Sequence, residues 1–294
     1  MQSKVRLFAD DCVIYSNIKG ERDIILLQKD LDRVQLWMTS NKMSLNLDKC
    51  EVVTFTTKSK QRDTIYDIAD RRLPSKTGYK YLGVWLDNKL DWSKHVDQII
   101  TKCIKNINFV FRNLSGTCTR TKTKAYKTLL RPLMEYGSAV WDPYKETDKN
   151  ALEKVQSIAV RRVTGRMKRW RIERNNKGVI CKLWESPTEM KKEMCWESLE
   201  SRRKVARLCN LYKIREGARG WNELSLIVKE RSYKGRTGKG GLLHEPRAKK
   251  NCGKFSFVAR TTREWNQLAC GSFPHDMPAS QFRLQVVEKM KKCT

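Results

Sequence analysis

Asp10 and Asp11 are the residues of this sequence whose type and placement best suit chemistry on phosphate. They stand between two short apolar runs, Val5-Arg6-Leu7-Phe8-Ala9 and Cys12-Val13-Ile14-Tyr15, a pattern that predicts strand, tight turn and strand with the acidic pair at the tip. Adjacent carboxylates in such a setting are costly unless a cation neutralises them, and a divalent ion bound by carboxylate oxygens is the natural occupant. Two such ions clamp the attacking and leaving oxygens of an in-line displacement at phosphorus. That displacement is nucleotidyl transfer when the nucleophile is a primer 3′ hydroxyl. By itself the dipeptide is weakly specific, since most Asp-Asp pairs sit in solvated turns.

The elements that must position the pair are legible in the hydrophobic periodicity. Ile24, Leu27, Leu31, Val34 and Met38 recur at three- and four-residue steps, which predicts a helix over 21–41 with one stripe on a sheet. Ser44 to Phe55 reads as a loop and a β-branched strand, and Gly78 to Asp87 as a further strand or hairpin arm. Residues 1–90 are therefore expected to be α+β. From Trp92 the period becomes helical, with Val96, Ile99, Ile100, Cys103, Ile104, Ile107 and Phe111 on one face. Further helices are predicted at 121–136, at 147–164 with Leu152, Val155, Ile158, Ala159 and Val163 inward, and at 187–213. The last opens on Ser186-Pro187-Thr188-Glu189, a capping sequence. A basic connector over 164–180 and a Gly/Lys-rich loop over 234–254 read as linkers or nucleic-acid-ordered segments. The expected organisation is an α+β part over 1–90, a helical domain over 91–165 and a basic helical region over 166–294.

Charge points to the partner. Lys and Arg number 61 against 32 Asp and Glu, a net +29; the first hundred residues contribute +3 and the remaining 194 contribute +26. So one-sided a balance fits a polyanion, because each neutralised phosphate releases condensed counterions. Nucleic acid suits it better than a membrane surface, since no basic amphipathic helix comes with a lipidation signal. With 39% hydrophobic residues and nine Trp, wholesale disorder is excluded. The sequence shows no signal-peptide pattern and no apolar run of roughly 20 residues, so an intracellular, soluble protein is expected. Ten cysteines without a C-x₂-C pair read as reduced thiols, and no zinc site is expected. Cys181, Cys195 and Cys209, fourteen residues apart, read as core positions on one helical face, and Trp141, Trp196 and Trp265 as core.

Phe8-Ala9-Asp10-Asp11 resembles the Y/F-x-D-D box of reverse transcriptases, and the segments after it keep that family's order. Trp37 to Glu51 (WMTSNKMSLNLDKCE) resembles the next family motif, in which a lysine before a strand is proposed to protonate the leaving pyrophosphate; Lys49 is the matching position, with a solvated turn lysine as the plain alternative. Lys80-Tyr81-Leu82-Gly83-Val84 resembles the primer-grip hairpin, which assigns Tyr81, Leu82 and Gly83 to the primer. Arg131 to Pro143 (RPLMEYGSAVWDP), Leu152 to Gln156, Arg161 to Gly165, Ser201-Arg202-Arg203, Leu211 to Ile214 and Arg260 to Leu268 resemble the thumb and downstream region of non-LTR retrotransposons of the jockey and CR1 type. The resemblance implies a partial polymerase palm, an antiparallel sheet with a helix, followed by a mainly α-helical thumb and a C-terminal extension. It implies an RNA-directed DNA polymerase whose Asp10 and Asp11 hold Mg²⁺, with Mn²⁺ as an alternative, and whose partners are an RNA template, a DNA primer and deoxynucleoside triphosphates.

A thumb must hold a duplex without reading its sequence, which calls for phosphate contacts from rigid helices. Arg120, Lys122, Lys124, Lys127 and Arg131 on one helix suit that task. Arg161, Arg162, Arg166, Lys168, Arg169 and Arg171, interleaved with Trp170, suit single-stranded RNA through guanidinium contacts and stacking. The resemblance also implies a third metal-binding aspartate and nucleotide-binding fingers upstream of Asp10. Without them the chain by itself is expected to be inactive as a polymerase. The alternative is a basic RNA- or DNA-binding remnant with no enzymatic role.

Overall fold

A computed structural model describes residues 2–58, 64–166, 170–174, 180–217, 242–268, 273 and 277–292. The chain divides into two compact units, residues 1–91 and 92–294. It is mixed α and β, as expected, with helix predominating.

In the first unit, β1 (Lys4–Phe8) and β2 (Asp11–Tyr15) form an antiparallel hairpin closed by the pair Phe8↔Asp11. Helix α1 (Glu21–Ser40) follows, and Asp23 caps its start by accepting from the Lys19 and Gly20 amides at 2.7 and 3.0 Å. Leu31 buries the helix stripe against Tyr66, Ile68 and Leu73, with Ile14, Ile24 and Leu27 packed around them. Polar clamps set the register: Gln28 bonds both the carbonyl and the amide of Asp67, and Gln35 Oε1 accepts from the Ala69 amide. The antiparallel sheet expected here is not formed as one sheet. Short strands pair two by two: β3 (Val52–Val53) with β6 (Ser75–Lys76) in parallel, and β4 (Asp67–Ile68) with β5 (Arg71–Arg72) and β7 (Gly78–Tyr81) with β8 (Val84–Asp87) antiparallel. Strands of two residues bring too few ladder bonds to propagate a sheet, so the loops and α1 set their positions. Gly78 is required where it stands, because a Cβ there would meet the Leu86 carbonyl at 2.7 Å and the Trp85 ring at 2.9 Å.

In the second unit, α2 (Ser93–Asn113) lays Val96, Cys103, Ile107 and Phe111 on α6 (Glu146–Thr164), which answers with Leu152, Val155, Ala159 and Val163. Both stripes are narrower than the periodicity suggests, since Ile104 and Ile158 are exposed. The helix expected over 121–136 is broken in three: α3 (Thr119–Ala125), a π turn at Tyr126–Leu130 and α4 (Arg131–Glu135). A short α5 (Ser138–Trp141) precedes α6. The connector after 165 carries an unforeseen antiparallel hairpin, β9 (Trp170–Arg174) with β10 (Ile180–Trp184). The helix expected over 187–213 is two, α7 (Pro187–Glu193) and α8 (Leu199–Arg215). They part at Cys195, whose φ of +52° no helix accommodates.

The cysteine stripe is thereby corrected. Cys181 lies on a strand, Cys195 is exposed in the turn, and Cys209 packs on a core. Helices α9 (Asn251–Lys254), α10 (Phe257–Leu268) and α11 (Ala279–Lys292) complete the unit. Their core stacks Tyr212 on Phe282 at 4.2 Å, with Trp265 and Phe273 against the same ring. Trp141, Trp196 and Trp265 are all buried, as expected. The loop expected over 234–254 is anchored where it is described: Leu243 is fully buried and exchanges two 2.9 Å hydrogen bonds with the Asn266 side chain.

Candidate catalytic hairpin and basic helical surface

The β1–β2 hairpin turns on two residues, Ala9 and Asp10, and Ala9 takes a φ of +52°. A side chain held there costs about 1 kcal/mol or more. The strand pairing on both sides keeps the turn tight. Asp10 occupies the second turn position and Asp11 opens β2; both are exposed. The hairpin is braced at its open end, where the chain enters β1, because the buried Asp30 carboxylate accepts from the amides of Gln2 and Ser3 at 2.8 and 2.7 Å and from Arg33 at 3.0 Å. Burial alone would raise the Asp30 pKa, but the Ser3 and Gln2 hydrogen bonds and Arg33 outweigh it and bring it down to about 2.

Three of the segments singled out by sequence share one neighbourhood. The Tyr79 phenol on β7 has its pKa raised by burial first, then by the charge of Asp11, of Glu51 and of Cys50, with Tyr81 adding to the effect. Burial also raises the Cys12 thiol, and Cys50 raises it further. Strand β2, the turn carrying Lys49 and the β7–β8 hairpin thus act on one another electrostatically. Lys49 ends a 3₁₀ turn (Leu47–Lys49) and is exposed, between Asp48, which pairs with Arg71 at 2.7 Å, and Glu51, which lies 4.0 Å from Lys76. Tyr81 closes β7. Leu82 and Gly83 form the two-residue turn at φ +45° and +84°, and Gly83 is exposed at its tip. Positive φ at both central positions matches the twist of the flanking strands, and a glycine there bears it without strain.

Two adjacent exposed carboxylates suit part of a hard cation's oxygen shell, the rest being left to water and substrate oxygens. Among the described residues no group of three or more His, Cys, Asp or Glu could hold a metal ion. Asp10 and Asp11 therefore fit a divalent ion as two of its ligands and do not enclose it.

The basic residues of the second unit divide by environment. Arg120, Lys124 and Lys127 are exposed, Lys122 is half-buried with Nζ donating to the Ser115 carbonyl at 3.2 Å, and Arg131 is half-buried with Nε 3.8 Å from Glu135. They lie on α3, the π turn and α4, and so not on one regular helix. Arg162 is exposed and Arg161 half-buried near the end of α6, while Arg166 pairs with Glu193 at 2.9 Å and approaches Glu185 at 4.0 Å. Lys168 and Arg169, and the side chains of Trp170 and Arg171, lie outside the described residues. Among the described residues no helix is long and apolar enough to cross a membrane.

Sequence reasoning missed a buried ionic cluster. Asp142 receives Arg203 Nε at 2.5 Å, Arg207 Nη1, and Arg260 Nη1 at 3.1 Å, and Glu264 takes Arg207 Nη2 on both oxygens at 2.7 Å. Arg203 and Arg207 are inaccessible, and burial lowers both guanidinium pKa values, that of Arg203 to about 10. Arg202 forks onto Glu135 alongside. Nothing in local periodicity reveals these contacts, yet their members other than Arg207 fall inside the strings Arg131–Pro143, Ser201–Arg203 and Arg260–Leu268.

Comparison with known proteins bears on the same segments. The family model described as reverse transcriptase (RNA-dependent DNA polymerase) matches residues 1–86, which include the Asp10-Asp11 hairpin, Lys49 and the Tyr81–Gly83 turn. The chain is 26% identical over 165 residues to the RNA-directed DNA polymerase from mobile element jockey of Drosophila melanogaster, covering 55% of this chain and 18% of that protein. It is 29% identical over 169 residues to the "probable RNA-directed DNA polymerase from transposon X-element" of the same species, covering 56% and 18%. The jockey polymerase of Drosophila funebris is 30% identical over 143 residues, covering 47% and 15%. The matched region spans less than a fifth of the length of these relatives. No solved structure matches the chain. Reverse transcriptases as a family depend on a divalent metal ion. The hairpin, the segments ordered behind it and the relatives that share them converge: residues 1–86 match the reverse transcriptase family, and the chain is similar to a fragment of the RNA-directed DNA polymerases of jockey-like elements.

Proposed function

We propose that this chain supplies the catalytic carboxylate hairpin and a phosphate-holding helical body to a polymerase that copies element RNA into DNA. The observation that carries the reading is the Asp10-Asp11 tip, two exposed carboxylates on a tight turn, with the charge of Asp11 reaching Tyr79 of the β7–β8 hairpin. Asp10 and Asp11 bind Mg²⁺, or Mn²⁺ in its place. When bound, such an ion stabilises the charge that develops on the attacking and leaving oxygens. Tyr81, Leu82 and Gly83 lie against the primer strand, whose backbone the glycine admits closely. Lys49 donates a proton toward the leaving pyrophosphate. The exposed cations Arg120, Lys124, Lys127 and Arg162 hold the phosphates of an RNA template and DNA primer, and Arg161, Arg166, Lys168, Arg169, Trp170 and Arg171 hold single-stranded RNA. Deoxynucleoside triphosphates are the remaining substrate.

Two carboxylates leave a metal ion exposed and loosely oriented, so the 294-residue chain by itself binds nucleic acid without extending it. Gel retardation with a primer–template duplex is expected to show binding that weakens steeply with added salt, at a slope of about 0.7–0.9 per phosphate contact. A flat salt response would remove the phosphate-contact account. Primer extension with Mg²⁺ is expected to be absent. Extension abolished by Asp10→Asn or Asp11→Asn would reverse the binding-only assignment of this chain and establish the carboxylates as catalytic.

A further inference from the structure

The second unit contains a polar cavity of about 230 Å³ that the polymerase reading touches only at Lys127. Tyr126 and Lys127 enter it from the π turn, Arg131 from the start of α4, Gln156 from α6, and Trp196 from the turn between α7 and α8. Tyr126 and Trp196 stack at 4.0 Å, 10° from parallel, which fixes both rings. Each of these residues except Lys127 contributes a buried polar atom outside hydrogen-bond geometry: Tyr126 Oη and Gln156 Oε1, which act on each other, Arg131 Nε, which lies 3.8 Å from Glu135, and Trp196 Nε1. Four such atoms around one cavity are unusual, because a buried polar group left unpaired costs roughly 1–3 kcal/mol. Gln156 is itself fixed, its Nε2 donating to the Glu197 carbonyl at 3.1 Å.

The chemistry of the lining selects an anion. Three of the four unpaired atoms carry N–H or O–H donors, and the fourth belongs to the Gln156 amide that adjoins the Tyr126 phenol. The cavity wall carries the cations Lys127, Arg131 and Arg202 and the carboxylate of Glu197, and the charges of Glu135 and Glu153 also reach the Tyr126 phenol. Arg202 is committed to Glu135 and Glu197, and Arg131 also faces Glu135 at 3.8 Å, so Lys127 is the lining cation most open to a ligand and Arg131 is shared between Glu135 and the cavity. A compact group with several acceptor oxygens matches donors converging from different elements. The space exceeds that of a water molecule and falls short of the roughly 300 Å³ at which ordinary small-molecule sites begin. The exposed Arg120 and Lys124 precede Lys127 on the same stretch of chain, so positive charge leads up to the cavity.

From this geometry we infer that the Tyr126–Arg131–Trp196 cavity is a phosphate-binding site that seats one backbone phosphate of a bound nucleic-acid strand. The inference rests on the proposed nucleic-acid binding for its ligand and on the unpaired donors for its place. Trp196 Nε1 donates to one phosphate oxygen and Tyr126 Oη to another, while Arg131 and Lys127 neutralise the charge.

The probe is inorganic phosphate added to the full chain labelled with 5-fluorotryptophan. The Trp196 resonance, one of nine, is assigned by its loss in Trp196→Phe. Phosphate is expected to shift it saturably against chloride of equal ionic strength. Lys127→Gln, an exposed substitution that spares the fold, and Arg131→Gln should each weaken the effect about tenfold, the order of one charge-assisted hydrogen bond. The other eight resonances report whether each variant stays folded. A primer–template duplex should move the same resonance, and phosphate should compete with it. No shift with phosphate overturns the site, and if the duplex is still retarded the polymerase reading stands without it. A shift with phosphate but none with a duplex that binds overturns the strand assignment. Failure of the duplex to bind at all sinks the proposed function and leaves only a site for free phosphate.

Discussion

Asp30 shows how a single residue can hold a functional element in place. It lies in α1, twenty residues beyond the aspartate pair, and its carboxylate takes the amides that lead into β1. Its pKa is lowered to about 2, with burial opposing and the Ser3 and Gln2 hydrogen bonds prevailing. A carboxylate whose folded pKa lies below its unfolded value near 3.9 contributes stability that is complete above that value and is lost as pH falls toward 2. Asp30→Asn should therefore cost about 1–2 kcal/mol at pH 7 and progressively less below pH 4, as read from urea melts across pH. An equal cost at pH 2.5 and pH 7 would disprove the account. Cysteines give a second residue-level expectation. Burial pushes the Cys103 thiol up to about 11, whereas the exposed Cys118 is lowered by its hydrogen bond with Thr121 and by the amides at the start of α3. Iodoacetamide should alkylate Cys118 well before Cys103 in the native chain, because the thiolate is the reacting form; peptide mapping that finds the reverse order would contradict it.

At the scale of elements, the termini decide more than the interiors. Helix α8 is capped twice: Ser198 Oγ accepts from the Ser201 amide at 3.1 Å, and Glu153 of α6 accepts from the Leu199 and Glu200 amides at 2.5 and 3.3 Å while holding Lys191 at 3.2 Å. A carboxylate at a helix N-terminus satisfies free donors and faces the positive end of the helix dipole. Ser198→Ala should cost about 1 kcal/mol and Glu153→Ala about 2 or more, with the double variant deviating from their sum because both act on one turn. Chemical denaturation followed by circular dichroism decides it; unchanged midpoints would show that α8 does not depend on these caps. The same reasoning explains two misread boundaries. Periodicity runs on through 187–213 and 121–136, while Cys195 at positive φ and the π turn at Tyr126 interrupt the backbone. A π turn adds one residue to a turn without disturbing the surrounding apolar pattern enough to be seen in it.

For the whole molecule, charge is partitioned between the surface and one interior cluster. The second unit carries most of the net +29, yet three of its arginines are buried on Asp142 and Glu264. These pairs link α8 and α10 to the segment after α5, across separations of 61 to 118 residues. Removing one partner of a buried ionic cluster strands the others, at about 3–5 kcal/mol. Asp142→Asn is expected to lose that much stability, whereas Asp10→Asn and Asp11→Asn, at exposed positions, should stay within about 0.5 kcal/mol of the parent. Equal stability of Asp142→Asn and the parent would show the cluster to be incidental. The first unit places Leu7, Phe8, Leu36 and Trp37 largely in solvent. Its α+β half therefore holds a smaller share of buried apolar surface than the helical half, and its stability leans on the polar clamps of Asp30, Gln28 and Gln35.

What the amino-acid order determined unaided is what depends on near neighbours. The Phe8-Ala9-Asp10-Asp11 hairpin, α1, α2 and α6 follow from turn chemistry and from a hydrophobic period that closes within a few residues, and the ordered motifs carried the lineage. The tertiary structure alone decided which distant side chains meet. Nothing near Arg203, Arg207 or Arg260 in the sequence marks them as buried until packing carries them onto Asp142. Trp196 reads as ordinary core, and nothing near Tyr126 or Gln156 in the sequence joins them to it, until their polar atoms gather at one cavity. An arginine has the same composition whether it is solvated or buried, and only the three-dimensional arrangement of its counter-charges settles which state is lower in free energy.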